Sequence, residues 1–344
     1  MKKLLYPFSI LYCLISQANR FLTYRRKLKK PVISIGNLTW GGSGKTPIVI
    51  KTAQLLLRHG IKPAILTRGY GRKSKKPVLL QNCRAFDGST WAEADIKDSG
   101  DEPLLISQSV EGAAVIVGAK RFANALSFQK EAVAGAYILD DGFQHWKIKR
   151  DLDIVCINAA NPFGNRMLIP AGILRESLSA LRRAGLIIIT NSKMISAQKL
   201  AELKAEIFAL CGLRAVCAHY GESEVTTLSG KPFDRMILKR KLPFILCGIG
   251  FWEGFKATVE GAGFKIKGVI KMKDHQEYTA KNLDKIYQKA EGTCVIVSKK
   301  DAVKLNSLVF GMRRKKTAVL SANIIFDDGG KRWEEAVLKT GQSF

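Results

Sequence analysis

The chain has 344 residues, enough for two domains, since single cores rarely grow past about 250–300 residues. At 47% hydrophobic and 25% charged it is too apolar for general disorder. Its 56 Lys and Arg against 29 Asp and Glu leave a net charge of +27, which points to a polyanion or an anionic surface as partner.

Eight of the basic residues (Lys2, Lys3, Arg20, Arg25, Arg26, Lys27, Lys29 and Lys30) fall within positions 1–30, where there is no acid. Leu4, Phe8, Leu11, Ile15, Ala18 and Leu22 recur at the i, i+4, i+7 spacing of one helical face, so this segment is predicted to be an amphipathic helix followed by a basic stretch. The apolar run falls short of the roughly 20 residues that span a bilayer, which favours a helix lying in the interface against anionic lipid. Two other readings stand beside this one. Lys2-Lys3, the apolar run and Ser16-Gln17-Ala18 have the look of a secretory signal, although the basic stretch that follows opposes export. The helix could also pack on the protein's own core.

Pro31 to Ile35 reads as a strand, followed by a Gly-rich turn and a helical run from Pro47 to His59. Further apolar runs at 64–66, 114–117, 137–139, 154–157 and 186–189 alternate with helix-like segments. Continuous rather than alternating apolar strands have both faces covered, which predicts a parallel α/β sheet. Between Tyr220 and Leu242 the texture changes to Gly, Pro, Lys and Arg, and the alternation resumes at 244–247, 269–270 and 294–297. The expected organisation is a membrane-surface segment (1–30), a P-loop NTPase-type domain (31–220), a linker (221–241) and a smaller α/β domain (242–344). The seven cysteines are scattered, with no C-x-x-C pair, as in a cytoplasmic protein with reduced thiols and no zinc site.

Thr39-Trp40-Gly41-Gly42-Ser43-Gly44-Lys45-Thr46 lies between the predicted strand and helix and matches G-x-x-x-x-G-K-[ST], except that Thr39 replaces the first Gly. Glycines let backbone N–H groups converge on phosphate, and the helix N-terminus attracts negative charge. Lys45 would then reach the β/γ-phosphates and Thr46 would offer its hydroxyl to Mg²⁺. Tyr137-Ile138-Leu139-Asp140-Asp141 is an apolar strand ending in acids, which in an α/β sheet fall beside such a loop and can hold Mg²⁺ or its water. These two elements predict a nucleotide phosphohydrolase or kinase without naming its substrate.

Gly36-Asn37, Thr67-Arg68-Gly69-Tyr70-Gly71, Gly100-Asp101-Glu102-Pro103, Asp140-Asp141-Gly142-Phe143-Gln144-His145 and Pro170-Ala171-Gly172 with Leu174-Arg175-Glu176 occur in this order. Together they closely resemble the tetraacyldisaccharide 4'-kinases, which phosphorylate the lipid A disaccharide precursor at the inner membrane. The resemblance runs through about residue 190 and continues more weakly at Asp274-His275 and Ser298-Lys299-Lys300-Asp301-Ala302-Val303. It implies ATP and Mg²⁺ as cofactors, Thr39 to Thr46 as the ATP-binding loop, and Gln144 and Glu176 completing the metal surroundings with Thr46 and Asp140. It also implies Asp101 as the base for the sugar hydroxyl with His275 nearby, Lys45 and Asp141 as further catalytic groups, and Asn37, Tyr70 and Arg175 lining the site. Phe251-Trp252 stands where the family usually has Asn-Pro, and Asp274-His275-Gln276 replaces a commoner Asp-His-His.

The expected reaction is transfer of the γ-phosphate of ATP to the 4'-hydroxyl of tetraacyldisaccharide 1-phosphate, by a peripheral or monotopic enzyme on the cytoplasmic face of the inner membrane. A membrane-associated P-loop nucleotide hydrolase acting as a switch is the rival. It would share the phosphate loop but would need neither Asp101 nor His275. Nucleic-acid binding would suit +27, yet no RNP pattern, zinc finger or helix-turn-helix signature accompanies the charge.

Overall fold

A computed structural model describes residues 5–272 and 277–342. Helix α1 (Tyr6–Leu22) leads through the basic stretch into β1 (Val32–Gly36), α2 (Lys45–Arg58), β2 (Pro63–Thr67), β3 (Val78–Gln81), β4 (Arg84–Phe86) and β5 (Trp91–Glu93). Then come α3 (Ile96–Ser99), α4 (Asp101–Ser109), β6 (Ala114–Val117), α5 (Arg121–Ser127), β7 (Ala136–Asp140), β8 (Leu152–Asn158), β9 (Leu186–Thr190) and α6 (Ala197–Cys211). The long β10 (Val216–Thr227) opens the second half, which continues with α7 (Arg235–Lys241), β11 (Phe244–Cys247), α8 (Trp252–Gly261), β12 (Gly268–Lys271) and α9 (Ala280–Lys289). It closes with β13 (Val295–Ser298), α10 (Lys299–Leu305), α11 (Gly311–Lys315), β14 (Thr317–Phe326) and α12 (Lys331–Gly341).

Among the described residues these strands form one sheet in the order β12-β11-β13-β14-β10-β9-β8-β1-β7-β2-β6-β3-β4-β5. β1 is buried at every position and pairs in parallel with β7 on one side and β8 on the other, as befits a strand covered on both faces. Helix α2 covers it with one face, Ile48, Val49, Thr52, Ala53, Leu55 and Leu56 being buried. Gly60, at φ +73°, supplies the left-handed residue just past the helix end, a conformation that costs glycine little.

β10 joins the two halves. Val216 and Cys217 pair in parallel with β9, whereas Ala218 to Thr227 run antiparallel to β14. Strands β11, β13 and β14 are parallel to one another, so their C-terminal ends point back at the C-terminal ends of β1, β7, β8 and β9. A cleft results between two lobes. Residues 221–227 continue β10 and 235–241 form α7, so the segment joining the lobes carries regular structure. The chain then returns: Trp333 and Val337 of α12 are fully buried in the core that holds Ile33 and Ile35 of β1, and Trp333 stacks on Phe326 at 4.7 Å between centroids.

Helix α1 rests on the first lobe through a small, polar stripe. Buried Ser9 donates its hydroxyl to the Leu168 carbonyl at 2.9 Å and accepts from the Ala171 N–H at 3.1 Å, and Arg20 lies over the Trp146 ring. Phe8, Leu11, Ile15 and Leu22 face outward and are more than half exposed, the reverse of a helix buried in a core. Leu4 lies outside the described residues. Among those described, no helix is long and apolar enough to cross a membrane.

Candidate active site

The strand register fixes the centre. Ile35 of β1 pairs with Asp140 of β7, so the acidic strand end lies level with the point where β1 gives way to the phosphate loop. Gly36 is required there: a Cβ would lie 2.6 Å from both the backbone N and the Cβ of Phe143. Gly41 and Gly44 take φ +117° and +71°, conformations that glycine adopts readily, and α2 begins at Lys45. The loop is braced from the ends of the neighbouring strands. Asn158 donates to the Gly42 carbonyl at 3.1 Å, Thr190 to the Ser43 carbonyl at 3.0 Å, and Asn191 to the Asn158 side chain at 2.9 Å.

Thr39 through Thr46, Asp140, Asp141, Tyr70 and Arg175 all line one cavity of about 1120 Å³, whose far wall is formed by Ile249 to Phe251 and Ser298 to Lys300 of the second lobe. Phe251 closes directly on the loop, 3.1 Å from where a Cβ on Gly42 would stand. Lys45 is held by Asn37 Oδ1 at 3.1 Å and Asp141 at 3.3 Å. Asn37 itself is fully buried and acts from behind the cavity wall.

The two strand-end acids differ in environment. Asp140 accepts from the Thr67 hydroxyl at 2.8 Å, and burial, reinforced by the negative charges of Glu102 and Asp141, pushes its pKa up to about 6. Burial also acts on Asp141, but Lys45 and Arg175 outweigh it and hold that carboxyl well below the usual range. Arg121, buried beside both acids, donates to the Asp141 carbonyl.

Gln144 and Glu176 lie together behind this centre. Gln144 donates to Glu176 at 2.9 Å and to the Asn37 carbonyl at 3.0 Å. Glu176 also meets Arg183 at 2.9 Å, whose guanidinium covers the Phe143 and Trp146 rings. Neither residue lines the cavity. Asp101 sits in the first turn of α4, 6% exposed, and faces Lys304 and Lys300 of α10. His275 lies outside the described residues.

The residues fit a nucleoside triphosphate and its cation. Among the described residues the Ser43 hydroxyl, on the cavity wall, is buried without a hydrogen-bond partner, and Asp140 is crowded by like charge that a cation would relieve. No cluster of three or more acidic, His or Cys ligands occurs among the described residues. Mg²⁺ in phosphate chemistry needs only one or two carboxylates beside the substrate's own oxygens.

Sequence reading missed Thr67, Arg121, Asn158, Thr190 and Asn191. A signal was available for four of them, since each lies at the C-terminal end of a parallel strand or just beyond it, where α/β sheets place their sites. Arg121 carries no such mark.

Comparison with known proteins agrees with this geometry. The family model described as tetraacyldisaccharide-1-P 4'-kinase matches residues 1–341. The chain belongs to this family. A tetraacyldisaccharide 4'-kinase of Desulfotalea psychrophila is 34% identical, the match covering 98% of this chain and 96% of that one. The corresponding protein of Pelobacter propionicus is also 34% identical, over 89% and 83%. Among solved structures, LpxK from Aquifex aeolicus in complex with ATP superposes with a TM-score of 0.74 at 25% identity, over 98% and 99% of the two chains. That agreement extends across both lobes.

Proposed function

We propose that this chain transfers the γ-phosphate of ATP to the 4'-hydroxyl of tetraacyldisaccharide 1-phosphate, the lipid A precursor, with Mg²⁺ as cofactor. One observation carries the reading: phosphate loop, strand-end acids and Arg175 share a single cavity whose opposite wall comes from the second lobe. A switch-type hydrolase needs the first three features and has no use for an acceptor-sized space.

In this scheme the loop N–H groups and Lys45 bind the triphosphate and offset the charge that develops on the transferred group. Thr46 and Asp140 hold Mg²⁺, with Gln144 and Glu176 fixing the surrounding loop. Bound there, Mg²⁺ would neutralise charge on the triphosphate. Asp101 accepts the proton of the sugar hydroxyl as its oxygen bonds to phosphorus and the bridging bond to the leaving diphosphate breaks, with His275 as its assisting group. Arg175 keeps Asp141 in place, and Tyr70, 63% exposed at the cavity mouth, is placed to meet the acceptor. Catalysis is then mostly positioning and electrostatics.

The acceptor carries acyl chains, which the exposed apolar side of α1 would meet. The Tyr12 hydroxyl donates to the Arg175 carbonyl at 3.1 Å, which ties the helix to the cavity rim while its apolar side stays open. With the basic residues at 25–30, this supports a peripheral or monotopic enzyme docked on the anionic cytoplasmic face of the inner membrane.

The test is to incubate the protein with γ-labelled ATP and the disaccharide in detergent micelles and to separate the lipids by thin-layer chromatography. Label in the glycolipid, dependent on Mg²⁺, is expected. Release of inorganic phosphate alone would return the protein to the hydrolase reading.

A further inference from the structure

The run from Ser298 to Val303 belongs to the second lobe, yet its helix reaches into the first. Asp301, fully buried, pins the start of α10. It accepts from the Ser298 hydroxyl at 2.8 Å, the Tyr278 hydroxyl at 3.1 Å and the Gly248 N–H at 3.2 Å, while its own N–H donates to Ser298 at 3.1 Å as the helix cap. Residues four apart on a helix share a face. Lys300 and Lys304 therefore project together from a rigidly anchored turn.

They meet the first turn of α4. Lys304 Nζ lies 3.2 Å from Asp101 Oδ2 and Lys300 Nζ 3.9 Å from the same oxygen, while Lys300 also reaches Glu102 Oε1 at 3.0 Å. The other carboxylate oxygen, Oδ1, accepts the Glu102 N–H at 2.9 Å. The Lys304 side chain is 9% exposed. An ion pair this far from water has lost most of its hydration, and its buried charges depend on each other far more than those of an exposed pair of small value.

We propose that Lys304 is a positioning residue for phosphoryl transfer, supplied by the second lobe to orient the Asp101 carboxylate, with Lys300 tethering the same turn through Glu102. The proposal rests on the assignment of Asp101 as the base. Held at Oδ1 by a backbone N–H, and with the Lys304 ammonium 3.2 Å from Oδ2, the carboxylate keeps one orientation. A carboxylate free to turn would not keep an oxygen aimed at the sugar hydroxyl, and a general base acts only from within hydrogen-bond reach of the proton it takes. Lys304 takes no part in bond making. The base is complete only while the lobes are docked, so a cleft that has opened loses both its far wall and its proton acceptor.

The experiment compares Lys304→Met, Lys304→Arg, Lys304→Ala with and without ethylammonium, and Asp101→Asn in the full-length enzyme, reading kcat with the disaccharide, KM for ATP and thermal unfolding. Misplacing a catalytic group by about 1 Å can cost about 10²-fold. We therefore expect Lys304→Met to lower kcat about 10- to 100-fold while KM for ATP stays within about twofold, the pattern of an interaction needed in the transition state. Lys304→Arg should recover a large part of kcat, and ethylammonium should partly rescue Lys304→Ala, which a purely structural role would not produce. If Asp101→Asn is inactive while Lys304→Met stays within about threefold of wild type, this inference is overturned and the Asp101 assignment stands. Full activity in Asp101→Asn would overturn that assignment instead. Should Lys304→Met unfold, failure of both arginine and ethylammonium to restore turnover would equally overturn the proposal.

Discussion

Arg175 holds Asp141 with both terminal nitrogens, Nη1 lying 2.8 Å from Oδ1 and Nη2 3.1 Å from Oδ2. The fork fixes an acid whose backbone sits at φ +47°, a left-handed conformation that a non-glycine residue keeps only when its surroundings enforce it. Lysine offers a single point charge and cannot reproduce a two-point grip. Arg175→Lys is expected to lower kcat/KM about 10- to 100-fold, equivalent to about 1.4–2.7 kcal/mol of transition-state stabilisation. Steady-state kinetics at saturating Mg²⁺ checks this, and a change under about threefold would mean that the fork is dispensable.

Lys45→Ala should nearly abolish turnover while circular dichroism stays native. The ammonium bonds Asn37 and Asp141 at the cavity wall and fills no core space. More than about a tenth of wild-type rate would be far above what loss of a phosphoryl-transfer cation leaves.

The N-terminal helix should be separable from nucleotide binding. Deleting residues 2–24 removes the exposed Phe8, Leu11, Ile15 and Leu22 without touching the phosphate loop. Sedimentation with anionic vesicles should fall and KM for the lipid should rise, with KM for ATP unchanged, because apolar burial and basic attraction both support docking. Truncated protein that still sediments as fully as the intact chain would count against the membrane role. Because Ser9 and Tyr12 also hold the 168–175 segment, a Phe8, Leu11, Ile15→Ser variant that keeps those contacts is the sharper probe.

Asp140 makes a pH-dependent prediction. Its folded pKa, about 6, lies above the ordinary value of 3.8, so between these values the folded protein binds a proton that the unfolded chain has released. Stability from this group is full below about pH 4 and is lost as pH rises through about 6. Asp140→Asn removes the charge, so at pH 7.5 the nucleotide-free variant should melt higher than wild type, the gain being at most about 3 kcal/mol. The difference should shrink as pH falls toward 4, and the variant should be inactive at every pH. A lower melting temperature at pH 7.5 would show that the Thr67 bond to Asp140 outweighs the cost of burying the charge.

How much of this was legible differs by residue. Thr39 to Thr46 are readable from the chain because their chemistry is local: a strand, glycines where the backbone must turn, and a helix that starts at Lys45. Asp140 is readable because an apolar run ending in acids implies a strand end, and a parallel sheet puts such ends on one side. The covered faces of β7 and β9 show as unbroken apolar runs for a similar reason. Wherever an element's neighbours are close in sequence, or its burial is dictated by composition, the sequence by itself determined the outcome.

The tertiary structure alone decided the rest, because those features depend on pairing between distant segments. That β10 changes partner from β9 to β14 at Ala218 is set by a strand more than ninety residues away. The return of α12, which buries Trp333 against the first lobe's core, leaves no trace at the position where the second lobe begins. Nothing local in the sequence pairs Lys300 and Lys304 with Asp101, about two hundred residues before them. Only the docking of α10 on α4 puts them within ion-pair distance, since a buried charge is stabilised by whatever opposes it in space and not by what precedes it in the chain.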